Sequence, residues 1–289
     1  MFARRRVSDE SSEARQHRQA LIEAMTFEVV PLKTLPPAID ELPVGATVSV
    51  TCSPVKGIDE TVRVTEELKT SGFEPIPHIA ARLVRDRNHT IELASWCRST
   101  GIDRMFVVGG DSEESGAYLG AVEFISDLLD TDHGLQTIGV TAYPDGHALL
   151  SDEVVARALR DKQAMFAEAG IDGYCTTQMC FDPNTIAKWM RRIREEGIDL
   201  PIHLGIPGVV DRTKLLTMGA RLGIGASLSY LRKNRTAITK LMTATSYDPN
   251  DLLKPLSEDL LQFGVDGLHV FTFNQVGATN EWRVQSLAD

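Results

Sequence analysis

Glu28 is a charged residue inside the first apolar run of the sequence, FEVVP. Burial of a carboxylate costs free energy unless it accepts hydrogen bonds or becomes protonated, and a raised pKa is what a general acid needs near neutral pH. Glu28 is therefore a candidate general acid. A structural ion pair is the alternative interpretation.

A second carboxylate, Asp111, follows an apolar run and two glycines in the segment MFVVGGDSEESG. The segment contains neither the phosphate-binding pattern GxxxxGK nor the dinucleotide pattern GxGxxG, and its acidic loop would repel a phosphate. Gly109 and Gly110 allow a sharp turn or the close approach of a flat ligand. The carboxylate of Asp111 suits a cationic or amidine-like partner.

Five more polar residues lie at or near the ends of other apolar runs, namely Thr51, His78, Tyr143, His147 and Gln178. Some also have a structural interpretation, with His78 as a core histidine, Tyr143 in a turn and Gln178 as an interior hydrogen-bonding residue. The sequence has no serine-nucleophile motif, no HExxH, no CxxC and no metal-ligand spacing, so it predicts no metal site. Redox or group-transfer chemistry on a bound organic molecule is the class of function that these absences leave open.

Short apolar or β-branched runs alternate with amphipathic helical segments, and these elements must position the polar residues. Eight such runs in a chain of 289 residues predict a (β/α)8 barrel, a TIM barrel, rather than a doubly wound sheet. A Gly-(Ile/Val)-Asp joint between a helix end and the next strand occurs at 101–103, 170–172, 197–199 and 264–266, which also favours one closed architecture. The predicted strands are 25–30, 46–51, 74–79, 104–108, 136–143, 173–180, 200–206 and 266–273.

The predicted barrel also defines where the chemistry should occur. In such barrels the catalytic residues lie where the strands end and the loops to the helices begin, so we expect the polar residues above to converge on one rim. Residues 25–289 are predicted to form this single catalytic domain, and residues 1–24 a tail and a short helix.

Composition restricts the partners and the location of the protein. The formal net charge is -10, which argues against a nucleic-acid partner or an anionic membrane surface. No apolar stretch reaches the roughly 18 to 20 residues that span a bilayer, and the basic N-terminus lacks the apolar region of a signal peptide. The cysteines show no paired spacing, which predicts reduced thiols and a cytoplasmic location.

Seven segments occur in the order and spacing of the methylenetetrahydrofolate reductases, and residues 25 to 276 resemble that family. Each motif is weak by itself, but seven in register are specific. The segments are FEVVPLKT with Glu28, VSVTCSP with Thr51, IPHIAAR with His78, VVGGD with Asp111, TAYPDGH with Tyr143 and His147, TTQMCFD with Gln178, and HVFTFNQ with Asn274.

The resemblance implies a (β/α)8 barrel that reduces 5,10-methylenetetrahydrofolate to 5-methyltetrahydrofolate with electrons from NAD(P)H, normally through a bound FAD. By position, Glu28 resembles the acid that assists opening of the imidazolidine ring. Asp111 resembles the carboxylate that binds the pterin and stabilises the iminium, and Gln178 the amide that contacts both folate and nicotinamide. These roles suit the residue types, because an iminium is stabilised by an anion and a departing amine needs a proton.

Several positions depart from the flavin-binding pattern of the family. Gly109 stands where the family has an arginine, and Cys52 where it has a tyrosine. These departures resemble the flavin-independent branch, in which NADH would transfer hydride directly to the folate, so FAD is predicted to be absent. Counted back from Gly170, the helix positions that hold the FAD ribose and pyrophosphate in the family are here Leu159, Lys162, Met165 and Phe166.

The resemblance also assigns binding residues. The predicted substrate-binding residues are Asp111, Gln178, Lys214 and Gln275, with Gln275 where the family has an arginine and Lys214 where it often has a glutamine. The predicted cofactor-binding residues are Thr51, His78, Tyr143, His147 and Gln178.

Three alternatives stay open. FAD could be held by other residues in a reductase of the ordinary type, or the barrel could bind folate without catalysis. NADPH is an alternative to NADH, because no arginine can be assigned to a ribose 2′-phosphate, although the acidic surface favours NADH.

Overall fold

The eight strands form one closed parallel barrel in sequence order, with the last strand paired to the first. A computed structural model describes residues 10–211, 215 and 246–288. The predicted (β/α)8 barrel is confirmed. The strands are β1 (Thr26–Val29), β2 (Thr47–Val50), β3 (Glu74–Ala80), β4 (Arg104–Val108), β5 (Thr137–Ala142), β6 (Asp172–Thr177), β7 (Ile202–Pro207) and β8 (Val265–Phe271).

Helices connect the strands and cover the outside of the barrel. Among the described residues they are α1 (Ser12–Glu23), α2 (Leu35–Ile39), α3 (Gly57–Thr70), α4 (Arg87–Thr100), α5 (Ala121–Leu129), α6 (Asp152–Ala169), α7 (Pro183–Glu195), α8 (Asn250–Gln262) and α9 (Val276–Ala288). A short 3-10 turn, Ala81–Leu83, follows β3.

The repeated Gly-(Ile/Val)-Asp joint ends four helices by the same backbone geometry. Its glycines have φ values of 67° at Gly101, 66° at Gly170, 73° at Gly197 and 63° at Gly264. This left-handed region is open to glycine without a steric penalty, so each helix stops there and the chain enters the next strand.

Two of the three hydrophobic clusters among the described residues lie on opposite faces of the barrel wall, because side chains alternate along each strand. The larger core lies between the outer wall of the barrel and the helices, and includes Phe27, Val48 and Phe124. A smaller one, Ile76, Phe106 and Tyr174, fills the lumen. Because Phe27 faces the outer core, its neighbours Thr26 and Glu28 point into the barrel.

Some predicted boundaries differ from the structure. The short helix α2, which contains Pro36 and Pro37, was not predicted. Helix α5 begins at Ala121, because the Glu123 carboxylate accepts the N–H groups of Leu119 and Gly120 at 2.8 and 3.2 Å and caps the helix there. Thr51 and Gln178 each lie one residue beyond their strands.

Helix α1 packs against the barrel at the start of β8. The ring of His17 forms a 2.9 Å hydrogen bond with the backbone oxygen of Val265, and the backbone N–H of Ser11 donates to Glu258 on α8 at 2.8 Å. In the described part of the chain, no helix has the length and apolar character needed to cross a membrane.

Candidate active site

Glu28 lies in the lumen, one residue before the end of β1. Its side chain is buried, and its carboxylate Oε2 is 2.9 Å from Nε2 of His269 on the neighbouring strand β8. The hydroxyl of Thr272 donates to the backbone oxygen of Glu28 at 2.6 Å. Glu28 is therefore a buried carboxyl group with a fixed backbone and a histidine as its hydrogen-bond partner among the described residues.

His78 belongs to the same lumen cluster. It lies two residues before the end of β3, with Nε2 at 2.5 Å from the hydroxyl of Ser49 and its ring 5.9 Å from that of His269. Burial, with a smaller contribution from nearby His269, holds the pKa of His78 well below its usual value. The imidazole is thus neutral at physiological pH.

Asn274 holds the chain just after Glu28. Its Oδ1 accepts the N–H of Val30 at 2.9 Å, and its Nδ2 donates to the carbonyl of Val30 and the hydroxyl of Thr34 at 2.9 and 3.0 Å. The sequence pattern marked Asn274 only as part of a motif. The structure assigns it the positioning of the loop after β1.

Asp111 lies on the rim, in the loop after β4. It is exposed, and its carboxylate forms no hydrogen bond or ion pair with the other residues that the structure describes. Gly110, with φ at 93°, packs under the rim, where an added Cβ would be 3.1 Å from that of Ala80. An unengaged carboxylate at this place is available to a cationic ligand.

Arg82 anchors the loop that carries Asp111. Its guanidinium donates to the backbone oxygens of Ser112 at 2.7 Å, Glu113 at 2.9 Å and Leu119 at 3.4 Å. Its own backbone N–H donates to the oxygen of Gly109 at 3.1 Å. Arg82 is therefore engaged within the protein, and it positions the loop.

Tyr143 and His147 come together in the loop after β5. Their rings meet edge to face at 4.8 Å, and Nδ1 of His147 accepts the N–H of Leu149 at 3.1 Å. Burial raises the pKa of Tyr143, and the carboxylate of Asp111 raises it further. The influence of Asp111 on Tyr143 is consistent with the β4 and β5 loops lying on the same side of the mouth.

The remaining predicted residues differ in the hydrogen bonds that their side chains form. Oε1 of Gln178 accepts the N–H of Met179 at 2.8 Å, which leaves its NH2 group as a donor, and Oε1 of Gln275 accepts the N–H of Asp211 at 2.9 Å. The hydroxyl of Thr51 is buried and has no hydrogen-bond partner among the described residues. Lys214 lies outside those residues.

The positions that bind flavin in the resemblance offer no charged group at the mouth. Leu159, Lys162 and Phe166 are buried where α6 meets the barrel, and burial lowers the pKa of Lys162 to about 8. Gly109 presents no side chain. The side chains at these positions therefore do not fit the pyrophosphate of an FAD bound as the resemblance implies.

A cavity of about 620 Å³ lies at the opposite end of the barrel. Its lining includes Thr26, Thr47, Arg104, Thr137 and His203, which belong to the first halves of their strands. Because the loops at the other end carry Asp111, Tyr143 and Gln178, this cavity is separate from the candidate active site.

A closed (β/α)8 barrel with a buried acid in the lumen, and a rim carboxylate without a partner among the described residues, is the arrangement typical of barrel enzymes that act at the carboxyl ends of the strands. The family model for methylenetetrahydrofolate reductase matches residues 25–285. The chain belongs to the methylenetetrahydrofolate reductase family, oxidoreductases that act on methylenetetrahydrofolate.

Proposed function

We propose that this protein reduces 5,10-methylenetetrahydrofolate to 5-methyltetrahydrofolate by direct hydride transfer from NADH, without a flavin. One observation carries the proposal. The residues suited to the folate chemistry lie in the lumen, as Glu28 does, or at the mouth, as Asp111 and Gln178 do, whereas of the family's flavin positions Gly109 has no side chain and Leu159, Lys162 and Phe166 are buried in the α6 interface.

Glu28 acts in the first step, the opening of the five-membered ring. It donates a proton to N10 as the bond between N10 and the methylene carbon breaks, and the bonding electron pair stays on N10. The lone pair of N5 then forms the double bond of a 5-iminium cation. The hydrogen bond to His269 fixes the Glu28 carboxyl group during this transfer.

Asp111 acts on the cation that results. Its unengaged carboxylate stabilises the positive charge on the iminium and the pterin. A hydride from C4 of NADH adds to the methylene carbon, which becomes the methyl group, and NADH is oxidised to NAD⁺. The NH2 group of Gln178, which has no partner among the described residues, is a donor for a carbonyl oxygen of either ligand.

The other rim residues are assigned to the nicotinamide side. Thr51 contributes a buried hydroxyl without a partner among the described residues, and Tyr143 and His147 contribute aromatic rings that meet edge to face. His78 lies beneath the mouth and is bonded to Ser49, so we assign it to the support of Glu28 rather than to direct nucleotide contact.

The test is an isotope experiment on the purified protein, whose absorbance spectrum is recorded first. NADH labelled with deuterium at both C4 positions is supplied with methylenetetrahydrofolate and no added flavin. We expect a protein without flavin absorbance, oxidation of NADH only when the folate is present, and one deuterium in the methyl group of the product.

Two outcomes would contradict the proposal. Stoichiometric flavin absorbance, with deuterium lost to solvent through the exchangeable N–H of a reduced flavin, would indicate an ordinary FAD-dependent reductase. Binding of folate with no NADH oxidation would indicate a non-catalytic barrel. NADPH in place of NADH, compared by kcat/KM, determines the preferred nucleotide.

A further inference from the structure

We infer that Glu28, His78 and His269 form a binding site for a divalent transition-metal ion, with Zn²⁺ as the best fit, and that the bound ion inhibits the enzyme. One potential ligand atom from each of the three residues lies within 4.8 Å of the other two. The residues come from β1, β3 and β8, which are far apart in sequence but are brought together by the closed barrel.

The ligand types select the ion. Two imidazoles and one carboxylate are a common donor set for Zn²⁺, whereas Mg²⁺ and Ca²⁺ prefer oxygen ligands alone. Zinc bonds of about 2.0–2.1 Å place tetrahedral ligand atoms about 3.4 Å apart. Side-chain rotations that move each ligand atom by less than about 1 Å would close the site, and the fourth position would stay open for water.

The surroundings of the three residues favour a cation. All three side chains are buried, and Glu28 brings a carboxylate whose ion-pair partner among the described residues is His269 rather than a lysine or arginine. Ser49 holds the ring of His78 through Nε2, and the phenyl rings of Phe106 and Phe271 lie 4.6 Å from His78 and 5.1 Å from His269. Such surroundings orient the ligands and limit the access of water.

Inhibition is expected because one of the metal ligands, Glu28, is also the proposed proton donor. A metal ion on the Glu28 carboxylate takes the place of the proton that this residue is proposed to donate. This consequence depends on the proposed function of Glu28, whereas metal binding itself does not. Binding is therefore measured in the absence of both folate and NADH, so that failure of the reaction mechanism and failure of the metal site are distinguishable.

The experiment titrates chelator-treated full-length protein with ZnCl2 in competition with a chromophoric chelator. We expect one tight site, weakened at least about tenfold by Glu28→Gln and by His269→Gln. His203→Gln is the matched control, because His203 is another lumen histidine, stacked on Tyr174 at 4.1 Å toward the opposite end. This control should bind zinc as the parent does. Equal affinity in all four proteins would overturn the inference.

Two further measurements identify the ligand atoms and check that each variant is folded. X-ray absorption at the zinc edge should show a nitrogen and oxygen shell near about 2.0–2.1 Å, and a sulfur shell near about 2.3 Å would assign the ion to the cysteines and overturn the inference. Thermal unfolding shows whether each variant retains a cooperative fold. Zn²⁺ should raise the midpoint of the parent and of His203→Gln but not that of the nearly isosteric Glu28→Gln.

Discussion

At the residue scale, the position of Glu28 sets it apart from the many other carboxylates of the chain. Several of these form ion pairs on the surface, as Glu60 and Glu67 do with Arg63. Glu28 is instead 8% exposed and bonded to a histidine. Burial suits a proton donor, because the group is shielded from bulk water.

Glu28→Gln tests this role directly. The amide keeps the shape and a hydrogen bond to His269 but has no acidic proton to donate. We expect kcat to fall by about 10²–10⁴, while the Kd for the folate stays within about threefold of the parent value. Steady-state kinetics and folate titration by fluorescence measure the two quantities. Glu23→Gln, on the exposed end of α1, is the matched control; near-normal turnover of Glu28→Gln would show that another group is the acid.

The sequence predicted some of these residues and missed others for physical reasons. Glu28 and Asp111 stand out because each interrupts or directly follows an apolar run. His269 was missed as a partner of Glu28, although the alternation in β8 and the closure of the barrel place it opposite β1. Arg82 was missed because its role depends on three carbonyl groups of another loop, and no local pattern records such a contact.

At the element scale, strands were predicted more reliably than the loops between them. The bounds of β4 agree with the prediction, because an apolar run between polar residues fixes both ends, whereas β6 ends at Thr177 and not at 180. The apolar residues Met179 and Cys180 continue the pattern beyond the strand but pack on other parts of the core. Hydrophobic pattern thus indicates burial, and strand pairing decides where the strand stops.

The Arg82 anchor leads to a prediction about the loop after β4. In Arg82→Gln the guanidinium can no longer bind the three carbonyl groups, so the loop with Asp111 should sample more conformations. We expect faster amide hydrogen exchange across 109–119 and a kcat reduced by about tenfold or more, because a misplaced carboxylate stabilises the iminium less.

Arg85→Gln is the control for this element. Arg85 lies three residues further along and forms an exposed ion pair with Glu92 at 3.1 Å, so its loss should change neither the exchange of 109–119 nor kcat. If Arg82→Gln lowered the thermal midpoint without a change in exchange at 109–119 or in kcat, Arg82 would contribute to stability alone.

At the scale of the whole molecule, the lumen is filled largely by rings rather than by the aliphatic layers common in such barrels. Phe106 lies 4.6 Å from His78 and 6.3 Å from Tyr174, which in turn stacks on His203. Glycines make room for these rings, since a Cβ at Gly139 would be 2.3 Å from the Tyr174 ring and one at Gly267 would be 2.8 Å from His203. Because some of these rings are histidines, the stability of this interior depends on pH.

The stability of the fold should therefore decrease in mild acid. Burial lowers the pKa of His203 to about 4 from 6.5, and it also lowers the pKa of His78. Between about pH 6.5 and pH 4 the unfolded chain binds a proton on His203 that the folded protein excludes. The free energy of unfolding therefore falls as the pH decreases. A histidine that is fully protonated in the unfolded chain and neutral in the folded protein contributes a limiting slope of about 1.4 kcal/mol per pH unit.

His203→Gln isolates one of these contributions. The variant should lose less stability than the parent between pH 6.5 and 5, by about 1 kcal/mol per pH unit, because it has one fewer excluded proton. Urea unfolding at several pH values measures this difference, and an unchanged m-value confirms that the same transition is compared. If the free energy of unfolding changed with pH in the same way for both proteins, the His203 imidazole would accept a proton in the folded barrel as readily as in the unfolded chain.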